Sequence, residues 1–122
     1  MNKKNIFQES IDLQLEAKEI GLDWLDIDGV LKKLREETDE VTEAISQNNE
    51  QSIKEELGDL LFTFLCLTRH LHCDPENVLQ LANEKFSKRY NEVLDLLKSR
   101  GKSYAEPEEM EELWQIIKAK KN

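Results

Sequence analysis

Residues 56–67 read Glu-Leu-Gly-Asp-Leu-Leu-Phe-Thr-Phe-Leu-Cys-Leu, and the placement of this stretch decides the fold. From Leu60 to Leu67 only Thr63 interrupts the apolar run, which is much shorter than a membrane span. Within a longer helix this segment is apolar around its full circumference. Such a helix must be buried on several sides, by its own bundle and by a second chain. Glu56 and Asp59 stand one turn apart at its mouth. Two carboxylates there repel each other and lose hydration unless something positive sits between them.

Outward from this segment the chain reads as helices throughout. Only 4 Gly and 2 Pro among 122 residues leave few turns and favour long elements. A first helix is expected from about Asn2 to Ile20, with Ile6, Leu13, Ala17 and Ile20 on one stripe and Gly21 as its stop. Asp26 or Asp28 caps a second, which carries Val30, Leu34, Val41 and Ile45 and ends near Ser46. After the polar turn at Asn48-Asn49 the third helix runs to about His72. Asp74-Pro75 then supplies a capping side chain followed by Pro at the first helical position. That fourth helix continues to Ser99, with Gly101 where a C-terminal cap belongs. Pro107 opens a short fifth helix whose end carries Lys118, Lys120 and Lys121, cations suited to the negative end of the helix dipole. The expectation is a single all-α domain over residues 1–122, a bundle of about five helices completed by dimerisation.

Composition narrows the function classes. Lys+Arg number 17 against Asp+Glu 26, a formal net charge of -9, which opposes non-specific nucleic-acid binding. The N-terminal residues include lysines but no apolar h-region, so no secretory signal is visible. Cys66 and Cys73 lack the spacing of a redox pair or zinc site, and a reduced, cytoplasmic protein with no membrane partner is expected.

Placing charges around each helix at about 100° per residue is more informative. On the second helix Glu37 falls inside the apolar stripe, between the directions of Val30, Val41 and Ala44; Glu40 lies at its border and Glu36 further out. Alone, Glu37 would read as a helix-edge residue reaching for water. Glu37 with Glu40, and Glu56 with Asp59, form two pairs at one i, i+3 spacing. Packed antiparallel, the two helices would aim four carboxylates at one volume, and oxygen-only ligands suit Mg²⁺ or Mn²⁺ rather than zinc. On the fourth helix Lys85 and Arg89 lie in or beside the stripe of Val78, Ala82, Phe86, Val93 and Leu96. They read either as snorkelling or salt-bridged side chains or as a clamp for phosphate oxygens.

Glu36-Glu37-Thr38-Asp39-Glu40 followed by Glu56-Leu57-Gly58-Asp59 resembles the EExxE…ExxD signature of MazG-type nucleoside triphosphate pyrophosphohydrolases. Gly21-Leu22-Asp23-Trp24 resembles the segment before that family's second helix, and Arg69-His70-Leu71 the end of its third. Ala82-Asn83-Glu84-Lys85-Phe86 with Arg89, and Met110-Glu111-Glu112-Leu113-Trp114 with Lys118, resemble its later motifs. The likeness runs from about Gln8 to Lys118, closest to the C-terminal module of two-module members. It implies hydrolysis of NTP or dNTP to NMP and pyrophosphate with Mg²⁺, in a homodimer or a tetramer built from dimers, serving removal of unwanted nucleotides or pool regulation. By motif position Glu37, Glu40, Glu56 and Asp59 would hold metal, with Glu36 beside them or orienting water. Lys85 and Arg89 would hold phosphates, Asn83 more weakly, and Trp114 and Lys118 would contact nucleotide. One departure is His72-Cys73 where relatives commonly have Gly; a left-handed cap would cost a non-Gly residue up to about 1–2 kcal/mol, so a turn of different shape is expected.

Rival readings fail on particular residues. His70, His72 and Cys73 share a helix end without a recognised metal spacing. Asp26-x-Asp28-Gly29 echoes a calcium loop, yet its register puts Trp24 at the first ligand position and Arg35 at the last. A di-iron bundle needs Glu-x-x-His pairs, and here the fourth residues are Glu40 and Asp59. A non-catalytic acidic module binding nucleotide or protein explains the charge but not carboxylates and cations on apolar stripes. From periodicity alone Trp24 and Trp114 serve equally as core, interface or base-stacking residues.

Overall fold

The computed structural model describes residues 5–120, and among them there are five helices and no strand. They are α1 (Ile6–Glu19), α2 (Ile27–Ser46), α3 (Glu50–His70), α4 (Pro75–Ser99) and α5 (Pro107–Ala119). Side chains start four of them: Asn5, Asp26, Asn49 and Asp74 accept from the backbone N–H of Gln8, Gly29, Ser52 and Glu76 at 2.8, 2.9, 3.1 and 3.1 Å. Of the two expected caps for α2, Asp26 is the one used. Because Asn5 is extended, α1 begins at Ile6; the expected start at Asn2 lies outside the described residues, as does Lys121.

The described helices form two compact units, one up to Asn77 and the other from Val78. In the first, three residues join α2 to α3, and this helix hairpin is the dominant packing, with α1 laid on α3. Its interior holds Val30, Ala44, Leu65 and Cys66. Thr63, the polar interruption in the apolar run, and Thr68, just past its end, return their hydroxyls to the carbonyls of Asp59 and Leu65 at 2.8 and 2.7 Å. In the second unit Val93, Leu97, Ala105, Leu113 and Ile117 form a core against which Leu96, Met110 and Trp114 pack. Arg100 and Lys102 brace the start of α5 through Glu109, at 2.9 and 2.7 Å.

Two expectations are corrected. The α1 stripe is not what that helix buries: Ile6, Leu13 and Ile20 are exposed, and the buried α1 residue is Gln14. Gln14 tolerates this because α3 offers partners to both ends of its amide. The turn after α3 also keeps the left-handed shape without glycine. His72 has φ +58°, its N–H donates to the carbonyl of Arg69 at 3.1 Å, and that of Cys73 to Thr68 at 2.9 Å. This is the same paired closure that Gly21 makes after α1 at φ +92°, so the strained residue is held by two carbonyls that need donors.

Candidate active site

The helix hairpin brings Glu37 and Glu40 of α2 together with Glu56 and Asp59 of α3. One carboxylate oxygen from each lies within 4.8 Å of the others. The i, i+3 spacing on each helix sets the pairs on one face, and the short connection turns the faces toward each other. Glu37 is only 3% exposed, Glu56 is half-buried, and Glu40 and Asp59 are open to solvent. Glu36 stands outside the cluster with its side chain about half exposed, 4.0 Å from the Lys33 ammonium.

Lys33 is the one cation bonded to these groups among the described residues, with Nζ 3.0 Å from Oε1 of Glu37. This hydrogen bond, then the charge of the same carboxylate, raises the lysine's pKa above its ordinary value. Its role was legible only as an ordinary i, i+4 pair on a helix surface. The pair leaves the cluster incomplete. Oε2 of Glu37 and Oε2 of Glu56 are both buried with no hydrogen-bond partner. An orphaned buried carboxylate oxygen costs several kcal/mol unless a cation or donor reaches it. Four oxygen donors, two of them orphaned, fit a hard divalent cation.

A second charged network in the same unit was not foreseen. Arg69 grips Asp23 with both guanidinium ends, Nη1 to Oδ2 at 3.0 Å and Nη2 to Oδ1 at 2.8 Å. Its Nε donates to Oε1 of Gln14 at 3.0 Å, and the Gln14 amide donates to the Phe62 carbonyl at 3.1 Å. The Arg69 hydrogen bonds, opposed by burial and aided by His70 3.1 Å away, hold the Asp23 carboxyl far below the usual carboxylate range. Cys66 lies beside this group, and burial pushes its thiol pKa up. Asp23, Cys66 and His70 converge as metal ligands do, but the Arg69 guanidinium already supplies the positive charge among them. Of the histidine–cysteine group weighed from sequence, only His70 enters this network; His72 and Cys73 are exposed. Contacts more than forty residues apart in sequence build it, which no local pattern signals.

The remaining candidates belong to the second unit. Asn83 and Lys85 are exposed and Arg89 half-buried on α4. Trp114 is half-buried on α5, its ring 5.7 Å from that of Phe86 and tilted 45°. Lys118 is exposed in the last turn of α5.

Fold and cluster together define a class: an all-α protein with an oxygen-only acidic centre held on a helix hairpin. Comparison with known proteins makes the class specific. The MazG nucleotide pyrophosphohydrolase domain matches residues 26–94, more than half of the chain, and the chain belongs to that family. It is 39% identical over 110 residues to the nucleoside triphosphate pyrophosphohydrolase of Escherichia coli K12, covering 87% of this chain and 42% of that protein. It is 37% identical over 108 residues to the Thermotoga maritima nucleoside triphosphate pyrophosphohydrolase/pyrophosphatase MazG, covering 87% and 41%. An uncharacterized Bacillus subtilis protein, YabN, is 32% identical over 72 residues, covering 57% and 15%. The chain thus spans about two fifths of the length of the first two relatives. No helix among the described residues is long and apolar enough to cross a membrane.

Proposed function

We propose that this chain is a Mg²⁺-dependent nucleoside triphosphate pyrophosphohydrolase module, converting NTP or dNTP to NMP and pyrophosphate. The observation that carries the reading is the convergence of Glu37, Glu40, Glu56 and Asp59 within 4.8 Å, with a buried oxygen left orphaned on Glu37 and on Glu56. Family membership and the names of two long relatives support it. These four carboxylates would hold Mg²⁺, with Mn²⁺ as a substitute. When bound, the ion supplies charge neutralisation to phosphate oxygens and acidifies water for attack on phosphorus.

The chain's own residues do the rest. Lys33 fixes the Glu37 carboxylate through Oε1 and leaves Oε2 without a partner. Glu36, solvated beside that pair, supports the metal-holding carboxylates from outside the cluster or helps orient the attacking water. Lys85 and Arg89 hold phosphate oxygens, with Asn83 in support, and Trp114 and Lys118 contact the nucleotide, as the motif resemblance implies. No serine or cysteine nucleophile is needed. Leu57, Leu61 and Phe64 lie exposed at i, i+4, i+7 along α3, and a second copy covering them accounts for a dimer, or a tetramer made from dimers. We assign the module to the cytoplasm and to the removal or balancing of nucleotides.

Product analysis with a panel of NTPs and dNTPs tests the reading. Pyrophosphate and NMP are expected only with Mg²⁺, and from neither Glu37→Gln nor Glu56→Gln. Orthophosphate with NDP, or no turnover by metal-loaded protein, would overturn it.

A further inference from the structure

Among the described residues, three buried side-chain oxygens lack a hydrogen-bond partner. Two belong to Glu37 and Glu56 of the acidic centre. The third is Oε2 of Glu92, which lies in the second unit and outside the four-carboxylate cluster. Glu92 is half-buried on α4, between exposed Asn91 and Val93 of that unit's core. A carboxylate oxygen at such a boundary gives up hydration and receives nothing in return unless a donor reaches it.

The geometry of α4 narrows the donor. At about 100° and 1.5 Å per residue, Val93 and Leu97 lie about 100° and 140° round from Glu92, which marks the core side. One turn away on that side are Leu96 and Arg89, about 40° and 60° round. Leu96 packs on the core and has no donor, whereas Arg89 is half-buried. Lys88 and Asp95 lie about 40° and 60° round in the opposite sense, and both are exposed. Lys85, within about 20°, is about 10.5 Å away along the axis and exposed. Arg89 has no ion pair or side-chain hydrogen bond among the described residues. A half-buried guanidinium and a carboxylate with a free buried oxygen thus stand one turn apart, unbonded. The cation precedes the anion along the helix, the less favourable order for a pair at this spacing. Helical side chains also lean toward the N-terminus, so Glu92 leans over the turn of Arg89 while the guanidinium leans on toward Lys85.

We propose that Glu92 is a positioning residue for Arg89, taking one edge of the guanidinium while another edge holds phosphate oxygens of the substrate. The inference rests on the nucleotide reading above, in which Arg89 binds phosphate. A guanidinium carries five N–H donors in a rigid plane, so it can serve a carboxylate and a phosphate together. Phosphate fixes the arginine from one side, and Glu92 keeps its plane aimed from the other. The orphaned oxygen gains its donor in the same step. An unpaired carboxylate beside phosphates would only repel them, and loss of its charge would tighten binding. As the partner of Arg89 it does the reverse.

Calorimetric titration of the full chain with pyrophosphate in Mg²⁺ tests this without requiring turnover. Glu92→Gln should weaken pyrophosphate binding about tenfold, within the range of coupling between charged groups in contact. Its Tm should be no lower than that of the wild type, because an uncompensated charge is removed. In an Arg89→Met background, itself weakened, Glu92→Gln should have no further effect. In turnover, Glu92→Gln should raise KM for ATP by a similar factor and keep kcat within about twofold. Unchanged or tighter pyrophosphate binding in Glu92→Gln, with the wild type binding, would overturn the proposal alone. So would an equal loss in the Arg89→Met background, which would give the oxygen another donor, such as the Trp114 indole of the same unit. A folded, Mg²⁺-loaded wild type that binds no pyrophosphate would overturn the phosphate reading of Arg89 and this proposal with it.

Discussion

Nζ of Lys33 lies 3.0 Å from one carboxylate oxygen of Glu37, while the other oxygen of the same group is buried with no partner. The side chain is thus half satisfied, inside a cluster where three more carboxylates approach within 4.8 Å. Without a cation, this arrangement opposes folding. Glu56→Gln removes one charge and supplies an amide donor that can reach a neighbouring carboxylate. In chelator the variant should be more stable than the wild type by about 1 kcal/mol or more, from like-charge terms of that order at partly exposed sites. Thermal unfolding in EDTA measures this, and a less stable variant would contradict the charge argument.

Magnesium should reverse that order. A site formed only in the folded chain stabilises it by binding, by about 2.7 kcal/mol when the ion is a hundredfold above its Kd. The wild-type Tm should therefore rise with Mg²⁺, and Glu37→Gln and Glu56→Gln should respond far less. The same titration with Mn²⁺ should also raise Tm, because four carboxylate oxygens suit either hard divalent ion. Equal shifts in wild type and both variants would place the ion elsewhere.

Acid should act through Asp23 in a direction that can be worked out. Its folded pKa is depressed, chiefly by the Arg69 hydrogen bonds, whereas in the unfolded chain it titrates near the ordinary value of about 3.9. Its contribution is complete above the ordinary range and declines as pH falls below it toward the depressed folded value. Asp23→Asn should cost about 1–3 kcal/mol at pH 7, the scale of hydrogen bonds to a charged group. The gap to wild type should stay open down to about pH 4 and narrow progressively below it, read by urea denaturation at each pH. A constant gap would show that Arg69 does not hold that proton off.

His72 offers a stabilising substitution. It is exposed and sits at φ +58° only because the α3 terminus needs a left-handed residue there. His72→Gly removes the Cβ penalty and should add about 1 kcal/mol, less the greater freedom of glycine in the unfolded chain. A rise in Tm of a few degrees with unchanged metal response is expected.

The helices and the acidic pairs were legible in the sequence because both are local. A capping aspartate at Asp26 or Asp28, the polar turn at Asn48-Asn49, Pro75 and Pro107 at helix starts, and i, i+3 carboxylates all write themselves within a few residues. Glu37 stood out as a charge on an apolar face, and it is indeed buried. The Gln14–Arg69–Asp23 brace was not legible, since its members lie on three separate segments and each looks ordinary in its own. The exposed α1 stripe misled for a related reason: apolar periodicity marks a face that wants covering but does not say by what. The same argument applies to α3, whose full apolar circumference exceeds what its own unit covers.

That excess leads to the last expectation. Leu57, Leu61 and Phe64 are 45%, 60% and 41% exposed along one side of α3. A row of this kind is costly in water at about 25 cal/mol per Å² and is stable when another surface excludes the solvent. Leu61→Glu places a charge at the centre of the row, where it lies in water in a monomer but loses hydration in an assembly. It should convert an oligomer to monomer in sedimentation analysis while leaving helical content unchanged. Leu22→Glu serves as the comparison, because that residue is 70% exposed in the loop before α2 and off the α3 row. A wild type already monomeric at micromolar concentration, or an oligomer untouched by Leu61→Glu, would remove α3 from the interface.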